Sequence, residues 1–456
     1  MHVHDRGLLH KRKEYVKMYF TIVYIEKKKF KRKRVKREKS MIVPNEAEIM
    51  APAGSFESLR AAIQAGADSV YFGVTQLNMR ASAAANLTVS DIPKVVEECR
   101  KAHVKTYLAV NTLLYDHDIV LAKKMVDMAK DAGVDAIIAF DFAVLGYCKE
   151  IGMPAHVSVQ FSVSNYESLK FFTNLTNRVV LARELTLDQI KAIYERIQEE
   201  QLMGCEGRLM EIEAFAHGAL CVAQSGRCHM SLYTDNASAN RGACRQNCRA
   251  QYKVTNMETG KELVIDNHYV MSAADICTID FLDKLLESGV KVLKFEGRGR
   301  SPEYVFTVIS AYKKALKDIE EGTYTKKRIE GYFQDLKKVF NRDLSKGNYY
   351  LGKEIGSYSD SYGSKAKEVK EYIGEVTNYF RKPGVAEMKI DSGTLEVGDK
   401  VYCIGESTGV YRAKLEALRD EKESSIVSAK KGDIVTFQVG ERLRRKDRVY
   451  KIARSV

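Results

Sequence analysis

From Glu48 onward the chain repeats one unit: a short apolar run, a polar turn, then a stretch with apolar positions at helical spacing. Continuous apolar runs alternating with amphipathic helices signal βα units around a parallel sheet, because a strand covered on both faces needs no polar alternation. The pattern predicts strands near 48–53, 69–74, 105–110, 136–141, 156–160, 178–183, 210–217 and 291–296. Eight strands favour an α/β fold closed as a (β/α)8 TIM-like barrel over a doubly wound open sheet. Ser55, Ser90, Asp116, Thr186 and Ser301 stand where an N-cap side chain would satisfy free backbone N–H groups.

In such a barrel, chemistry collects at the C-terminal ends of the strands. That directs attention to Asn78, Arg80, Asn111, Asp141, Gln160, Glu184, His217 and Glu296. The seventh unit departs from the pattern, since residues 217–277 replace a short loop before the helix expected near Thr278. Insertions of this length are functional or disordered. This one includes a hairpin-like stretch, Gln251–Val270, with Glu258-Thr259-Gly260-Lys261 as its turn.

Residues 324–368 read as a helical connector rich in Lys and Tyr. Short alternating strands within 369–456, around Ile373–Val376, Val385–Ile390, Lys400–Ile404 and Asp433–Val439, predict a small antiparallel β-barrel. Its turn Asp391–Val401 and its basic run Arg442-Leu443-Arg444-Arg445-Lys446 resemble the second domain of translation factors. The run is either a solvated loop or an RNA contact. The expected organisation is thus a basic extension (1–40), a barrel (41–323) with the insertion 217–277, the connector and the small barrel.

Charge sharpens this division. The 456 residues carry 73 Lys and Arg against 60 Asp and Glu, a net of +13. Residues 1–40 hold fifteen bases and four acids, or +11, which leaves +2 for all the rest. The tail suits RNA or an acidic membrane, or is over-extended translation ahead of Met41. No apolar run approaches the ~20 residues of a membrane helix, and no signal-peptide cleavage pattern is present. A cytoplasmic protein without a membrane partner is expected.

Five of the nine cysteines, Cys221, Cys228, Cys244, Cys248 and Cys277, gather in the insertion, while Cys99, Cys148, Cys205 and Cys403 lie singly. In a reducing compartment, clustered thiols point to metal or catalysis before disulfides. Soft thiolates select zinc, copper(I) or iron–sulfur clusters, and four complete a tetrahedral ion or a cubane. The short Cys-x2-Cys knuckle of structural zinc is missing, which favours a 4Fe–4S cluster, with zinc and unliganded buried thiols as alternatives. Arg227, Arg241, Arg245 and Arg249 lie among the thiols. Such cations lower thiol pKa, offset a cluster's charge, or grip a carboxylate or phosphate.

Glu211, Glu213, Phe215 and His217 alternate with Ile212, Ala214 and Ala216, so a regular strand puts them on one face. His217 is a candidate general acid or base with Glu213 beside it, and a structural role is the alternative for each. Arg80, Arg183 and Arg241 are candidates for an anionic substrate by charge alone. HExxH, GxSxG and Walker patterns do not occur.

Ala51-Pro-Ala-Gly-Ser55, Gly66-Ala-Asp-Ser-Val-Tyr71, Arg183-Glu-Leu185, Phe295-Glu-Gly-Arg298, Phe340-Asn-Arg342 and above all the run from Glu213 through Cys248 resemble the collagenase-like family of peptidases of unknown catalytic type. The likeness spans most of residues 46–350. It implies more than proteolysis, since branches of that family bind a 4Fe–4S cluster and hydroxylate tRNA, ribosomal RNA or ubiquinone, with prephenate as the implied hydroxyl source. The C-terminal β-barrel is similar to the tRNA branch, in which wobble uridine becomes 5-hydroxyuridine. That pattern implies Cys221, Cys228, Cys244 and Cys277 as ligands, with Cys248 as an alternate, and tRNA and a homologous subunit as partners. A collagenase-like peptidase and a non-catalytic RNA-binding or assembly subunit are the competing readings.

Overall fold

The computed structural model describes residues 46–81, 87–263, 271–350, 357–361 and 363–455. The expected basic extension lies outside them, as does the last part of the hairpin-like stretch.

All eight expected strands form. They are β1 (Glu48–Ala53), β2 (Ser69–Phe72), β3 (Lys105–Val110), β4 (Ala136–Ala139), β5 (Ala155–Val157), β6 (Arg178–Val180), β7 (Glu211–Gly218) and, after the insertion, β11 (Val290–Phe295). The insertion contributes a short hairpin, β8 (Val254–Thr255) with β9 (Glu262–Leu263), and then β10 (Asp275–Cys277). From β1 to β7 each strand pairs in parallel with the next, and β11 pairs in parallel with both β7 and β1. The ring is therefore closed as a (β/α)8 barrel.

Around it run α1 (Phe56–Gln64), α2 (Ile92–Lys101), α3 (Ile119–Ala132), α4 (Phe142–Ile151), α5 (Tyr166–Phe171) and α6 (Leu187–Glu200). The insertion carries α7 (Met230–Asp235), and α8 (Leu282–Glu287), α9 (Pro302–Glu320) and α10 (Lys326–Leu336) follow. Ser55 and Thr186 cap α1 and α6, accepting from Ser58 N and Gln189 N. Ser301 occupies the N-cap of α9 without a side-chain bond. Two expected caps are displaced: Ser90 and Asp116 lie inside 3-10 turns that precede α2 and α3. No described helix is long and apolar enough to cross a membrane.

The barrel interior is partly ionic. At its floor, Glu48 accepts from Ser69 Oγ (2.7 Å), Tyr107 OH (2.8 Å) and both terminal nitrogens of Arg178 (3.0 and 2.8 Å), and Arg178 also reaches Glu211 (2.8 Å). Burial alone would raise the Glu48 carboxyl, but Arg178 outweighs it and holds the group at about 2. Higher up, Lys294 Nζ donates to Glu213 Oε1 at 2.7 Å, both buried.

The end of β7 is irregular. Phe215 lies opposite Lys294 and His217 opposite the next residue, Phe295, so β7 carries one residue more than its partner there. His217 consequently turns toward Tyr304 and Tyr312 of α9, with ring centroids 6.2 and 5.7 Å away. The expectation that Glu213 and His217 share a face fails because this extra residue breaks the alternation. Beside the same stretch of β7 runs β10, antiparallel, with Cys277 opposite His217.

Beyond β12 (Leu344–Ser345), the C-terminal region contains β13 (Glu368–Phe380), β14 (Val385–Ile390), β15 (Thr394–Glu396), β16 (Lys400–Gly405), β17 (Gly409–Lys414), β18 (Leu418–Arg419), β19 (Ser425–Ile426), β20 (Ser428–Lys430), β21 (Ile434–Gln438) and β22 (Arg448–Arg454). Eight of these form an antiparallel sheet in the order 17-16-22-13-14-21-18-19, and β15 pairs with β20. Both ladders contribute to one core that includes Ile373, Leu395, Val401, Ala429 and Phe437. The sheet is fastened to the barrel by Gln64, which donates to Thr408 O and accepts from Val410 N, and by the ion pairs Arg448–Glu57 and Lys370–Glu303.

Arg178→Met leaves Glu48 buried without its counter-charge and is expected to cost about 3–5 kcal/mol in urea denaturation. In the wild type, stability from ionised Glu48 is complete above the ordinary value of 4.5 and is lost as pH falls toward about 2. The variant's stability should therefore fall less steeply over that acid range.

Candidate functional site

The cysteine-bearing segment lies on the barrel mouth because glycines let it approach. It leaves β7 at Gly218, where φ is +110° and a Cβ would sit 2.6 Å from Glu296 O. Gly226 packs on the Gln160 side chain, and Gly242, at φ +87°, would place a Cβ 2.4 Å from Asn78 O. Asn78 and Gln160 stand just beyond β2 and β5, so these contacts put the segment over the strand ends. Arg241 fastens it, donating to Asp118 Oδ2 (2.6 Å) and Leu113 O (2.9 Å) and lying 4.2 Å over the Tyr115 ring. Arg249 ties the two ends of the segment together through Leu220 O (2.6 Å) and Ala273 O (2.5 Å).

Four thiols sit in this segment. Cys221 and Cys244 are exposed, and Cys228 and Cys248 are half-buried. Burial pushes the Cys248 thiol up, Arg249 draws it down, and negative charge on Cys221, Cys244 and Cys228 would raise it further. Cys221, Cys228 and Cys244 are thus electrostatic neighbours of Cys248. Among the described residues, no three His, Cys, Asp or Glu side chains are grouped closely enough to hold a single metal ion.

Cys277 has different surroundings. It is buried on β10, and its thiol is pushed up to about 12 by burial. The Tyr312 hydroxyl lies 3.7 Å from Cys277 Sγ, 3.4 Å from His217 Nδ1 and 3.0 Å from Ala216 O. Burial pushes His217 down to about 3, so its imidazole is neutral throughout the physiological range.

Arginines lie near two of the thiols, Arg80 near Cys244 and Arg249 and Arg342 near Cys248. Arg80 donates to Glu296 Oε1 at 3.0 Å, and both Glu296 and negative charge on Cys244 raise its pKa. Burial would raise Glu296, but Arg80, Arg298 and Arg183 hold it down to about 2. Arg298 donates to Asn78 Oδ1 (2.9 Å), and Asn78 Oδ1 also accepts from Arg80 N (3.0 Å). Arg300 lies 3.4 Å over the Phe340 ring. Arg342 is lowered to about 10, by burial first and then by repulsion from Arg300 and Arg249, against the attraction of Asp275 and Cys248. Cations here outnumber carboxylates, which leaves a positive potential at the mouth.

Peptidase family U32 matches residues 54–358. The chain belongs to peptidase family U32. It is 47% identical over 407 residues to a collagenase of Porphyromonas gingivalis, covering 89% of this chain and 98% of that protein. It is 29% identical over 415 residues to tRNA hydroxylation protein P1 of Bacillus subtilis, covering 88% and 94%. A 23S rRNA 5-hydroxycytidine synthase of Escherichia coli is 33% identical over 319 residues, covering 68% of this chain and 46% of that protein.

In this U32 chain the expected site residues divide. Cys221, Cys228 and Cys244 lie within electrostatic reach of Cys248, and Arg80 within reach of Cys244. Arg183 is at the mouth as well, 3.8 Å over the Phe215 ring and donating to Ala219 O (3.1 Å). Arg241 fastens the segment, its guanidinium engaged by Asp118 and Leu113 O. Glu213 is bound to Lys294 inside the barrel, and His217 is walled in by tyrosines. Asp141 caps α4, accepting from Ala143 N, and Glu184 is exposed. Charge reasoning missed Arg298, Arg300 and Arg342. A signal was available: Arg298 and Arg300 follow directly on the last barrel strand.

Gly242→Ala meets both a left-handed backbone and the Asn78 carbonyl, at an expected cost above about 1 kcal/mol. Limited proteolysis should cut the variant faster within residues 219–250 than the wild type, while the barrel fragment stays resistant.

Proposed function

We propose that this protein is an iron–sulfur enzyme of RNA modification that hydroxylates wobble uridine to 5-hydroxyuridine in tRNA, with prephenate as the hydroxyl source. The observation that carries the reading is the set of arginines near clustered thiols at the mouth of a (β/α)8 barrel. The relatives named as a tRNA hydroxylation protein and an rRNA 5-hydroxycytidine synthase support the reaction class.

The donor set fits a 4Fe–4S cluster. Four soft thiolates are available, and cations stand close enough to offset their charge. Cys221, Cys228, Cys244 and Cys248 would hold the cluster on the electrostatic evidence of their neighbourhood, whereas the family resemblance implies Cys277 in place of Cys248. When bound, such a cluster supplies one-electron chemistry tuned by nearby charge and hydrogen bonds.

The chain's own residues do the rest. Arg80, Arg298, Arg300 and Arg342 offer planar forks to the two carboxylates of prephenate. Glu296 holds Arg80 and Arg298 in place and Asp275 holds Arg342, so the donors are set before substrate arrives. The likeness to a collagenase keeps a peptidase reading in view, yet the Cys277–Tyr312–His217 group does not support it. A nucleophilic cysteine needs a thiolate beside an accessible base, and burial keeps both of these groups neutral.

Anaerobically purified protein should be brown and carry about four irons per chain. Cys221→Ser, Cys228→Ser and Cys244→Ser should each remove most of the iron, and so should Cys248→Ser, with Cys277→Ser retaining it. The reverse result for the last pair would restore Cys277 as the fourth ligand. Nucleoside mass spectrometry should find 5-hydroxyuridine lost from the tRNA of a deletion strain. Colourless, iron-free protein together with unchanged tRNA would overturn the proposal. Glu296→Gln should raise the prephenate KM at least about tenfold through misplaced arginines, while iron content stays the same.

A further inference from the structure

Residues 41–456 carry a net of only +2, so a concentration of unpaired cations on them is a local feature. One such concentration lies on the C-terminal sheet. The loop between β21 and β22 presents Arg442, Arg444, Arg445 and Lys446, all exposed, with Leu443 buried in the core as its anchor. The loop is held by its backbone. Buried Asp447 accepts from Arg444 N (2.7 Å) and Thr408 Oγ1 (2.5 Å), and Lys446 N donates to Val376 O (2.8 Å).

The neighbouring turn between β13 and β14 adds exposed Arg381 and Lys382. Val439 N donates to Gly384 O at 2.8 Å, which joins this turn to the start of the loop. Phe380, 41% exposed, stands next to Arg381. Among the described residues, Arg381, Lys382, Arg442, Arg445 and Lys446 form no ion pair. Elsewhere in the same sheet Lys370, Arg412, Arg448 and Lys451 each have a carboxylate partner, and Lys389, Lys400 and Lys414 stand singly on three different strands without one among the described residues. The loop's two acids are Glu441, which is exposed, and Asp447, which is buried beneath it.

Position gives these cations a use. Arg448, two residues past Lys446, pairs with Glu57 in the first turn of α1, and Lys370 pairs with Glu303 in the first turn of α9. Helix starts in a (β/α) barrel lie at the end where the strands finish, so these two pairs set this side of the sheet beside the mouth. A set of like charges held together without counter-ions favours a polyanion, and an exposed ring among them favours unpaired nucleotides.

We propose that turn 381–382 and loop 442–446 form a contact for the RNA backbone, gripping phosphates of the substrate while one nucleotide reaches the barrel mouth. The proposal rests on the RNA-modifying reading above and assigns its binding step to the C-terminal sheet. Such contacts position a substrate without reading its bases.

The test uses the full chain and bulk tRNA, with fluorescence anisotropy across a salt series. The variant combines Arg442→Gln, Arg445→Gln and Lys446→Asn, because Asn tolerates the left-handed backbone at Lys446 (φ +72°). The control combines Lys430→Gln and Lys431→Gln, which lie at the opposite end of β21. Expected is roughly tenfold or weaker binding for the variant, with the slope of log K against log salt reduced by about 2 to 3, and an unchanged Tm. The control should match the wild type. Equal affinity and slope for variant and wild type would overturn the contact and leave the RNA reading standing, as would an equal loss in the control. Wild-type protein that binds phosphatidylserine vesicles but no tRNA would overturn both.

Discussion

One carboxylate makes the barrel mouth possible. Glu296, just past the last barrel strand, is where Arg80, Arg183 and Arg298 converge, and their field outweighs the burial that would otherwise neutralise it. Guanidinium groups packed this closely repel one another unless an anion lies between them. Asp275 lies beside Arg342, but there burial prevails: it raises the Asp275 carboxyl and is the first cause of the lowered Arg342, with repulsion from Arg300 and Arg249 adding to it. Charge at the mouth is left incompletely balanced, and the thiols laid over it are the groups able to complete the balance on deprotonation.

Much of the architecture was legible in the chain because each barrel strand is covered on both faces and therefore reads as an uninterrupted apolar run. Strand positions, the closed ring and the oversized seventh loop all follow from that. The displaced starts of α2 and α3 were not legible, since Thr88 and Asp91 compete with Ser90, and Tyr115 and Asp118 with Asp116, over one or two positions. The thiols announced themselves by clustering, and their spacing left open which four belong together. That choice depends on where β10 puts Cys277, a tertiary fact.

His217 shows where periodicity runs out. A period of two assigns it to the face of Glu213, and one additional residue opposite Lys294 and Phe295 reverses the assignment. The imidazole then lies under α9 with Tyr312, out of the ionic interior where Lys294 holds Glu213. Charge type alone likewise suggested Arg241 as a substrate group. A cation near a functional loop is as useful for holding the loop as for holding a ligand, and the bond of Arg241 to Asp118 shows the first use.

The insertion returns to the strand from which it departs: β10 lies antiparallel to the end of β7, with Ile276 opposite Gly218. Its two ends are thus clipped side by side, and the intervening chain is a closed loop whose entropy grows only with the logarithm of its length. Doubling such a loop costs about 0.6 kcal/mol. Relatives can therefore lengthen or shorten the stretch between the last clustered thiol and β10 freely, while the register of the barrel beneath stays fixed.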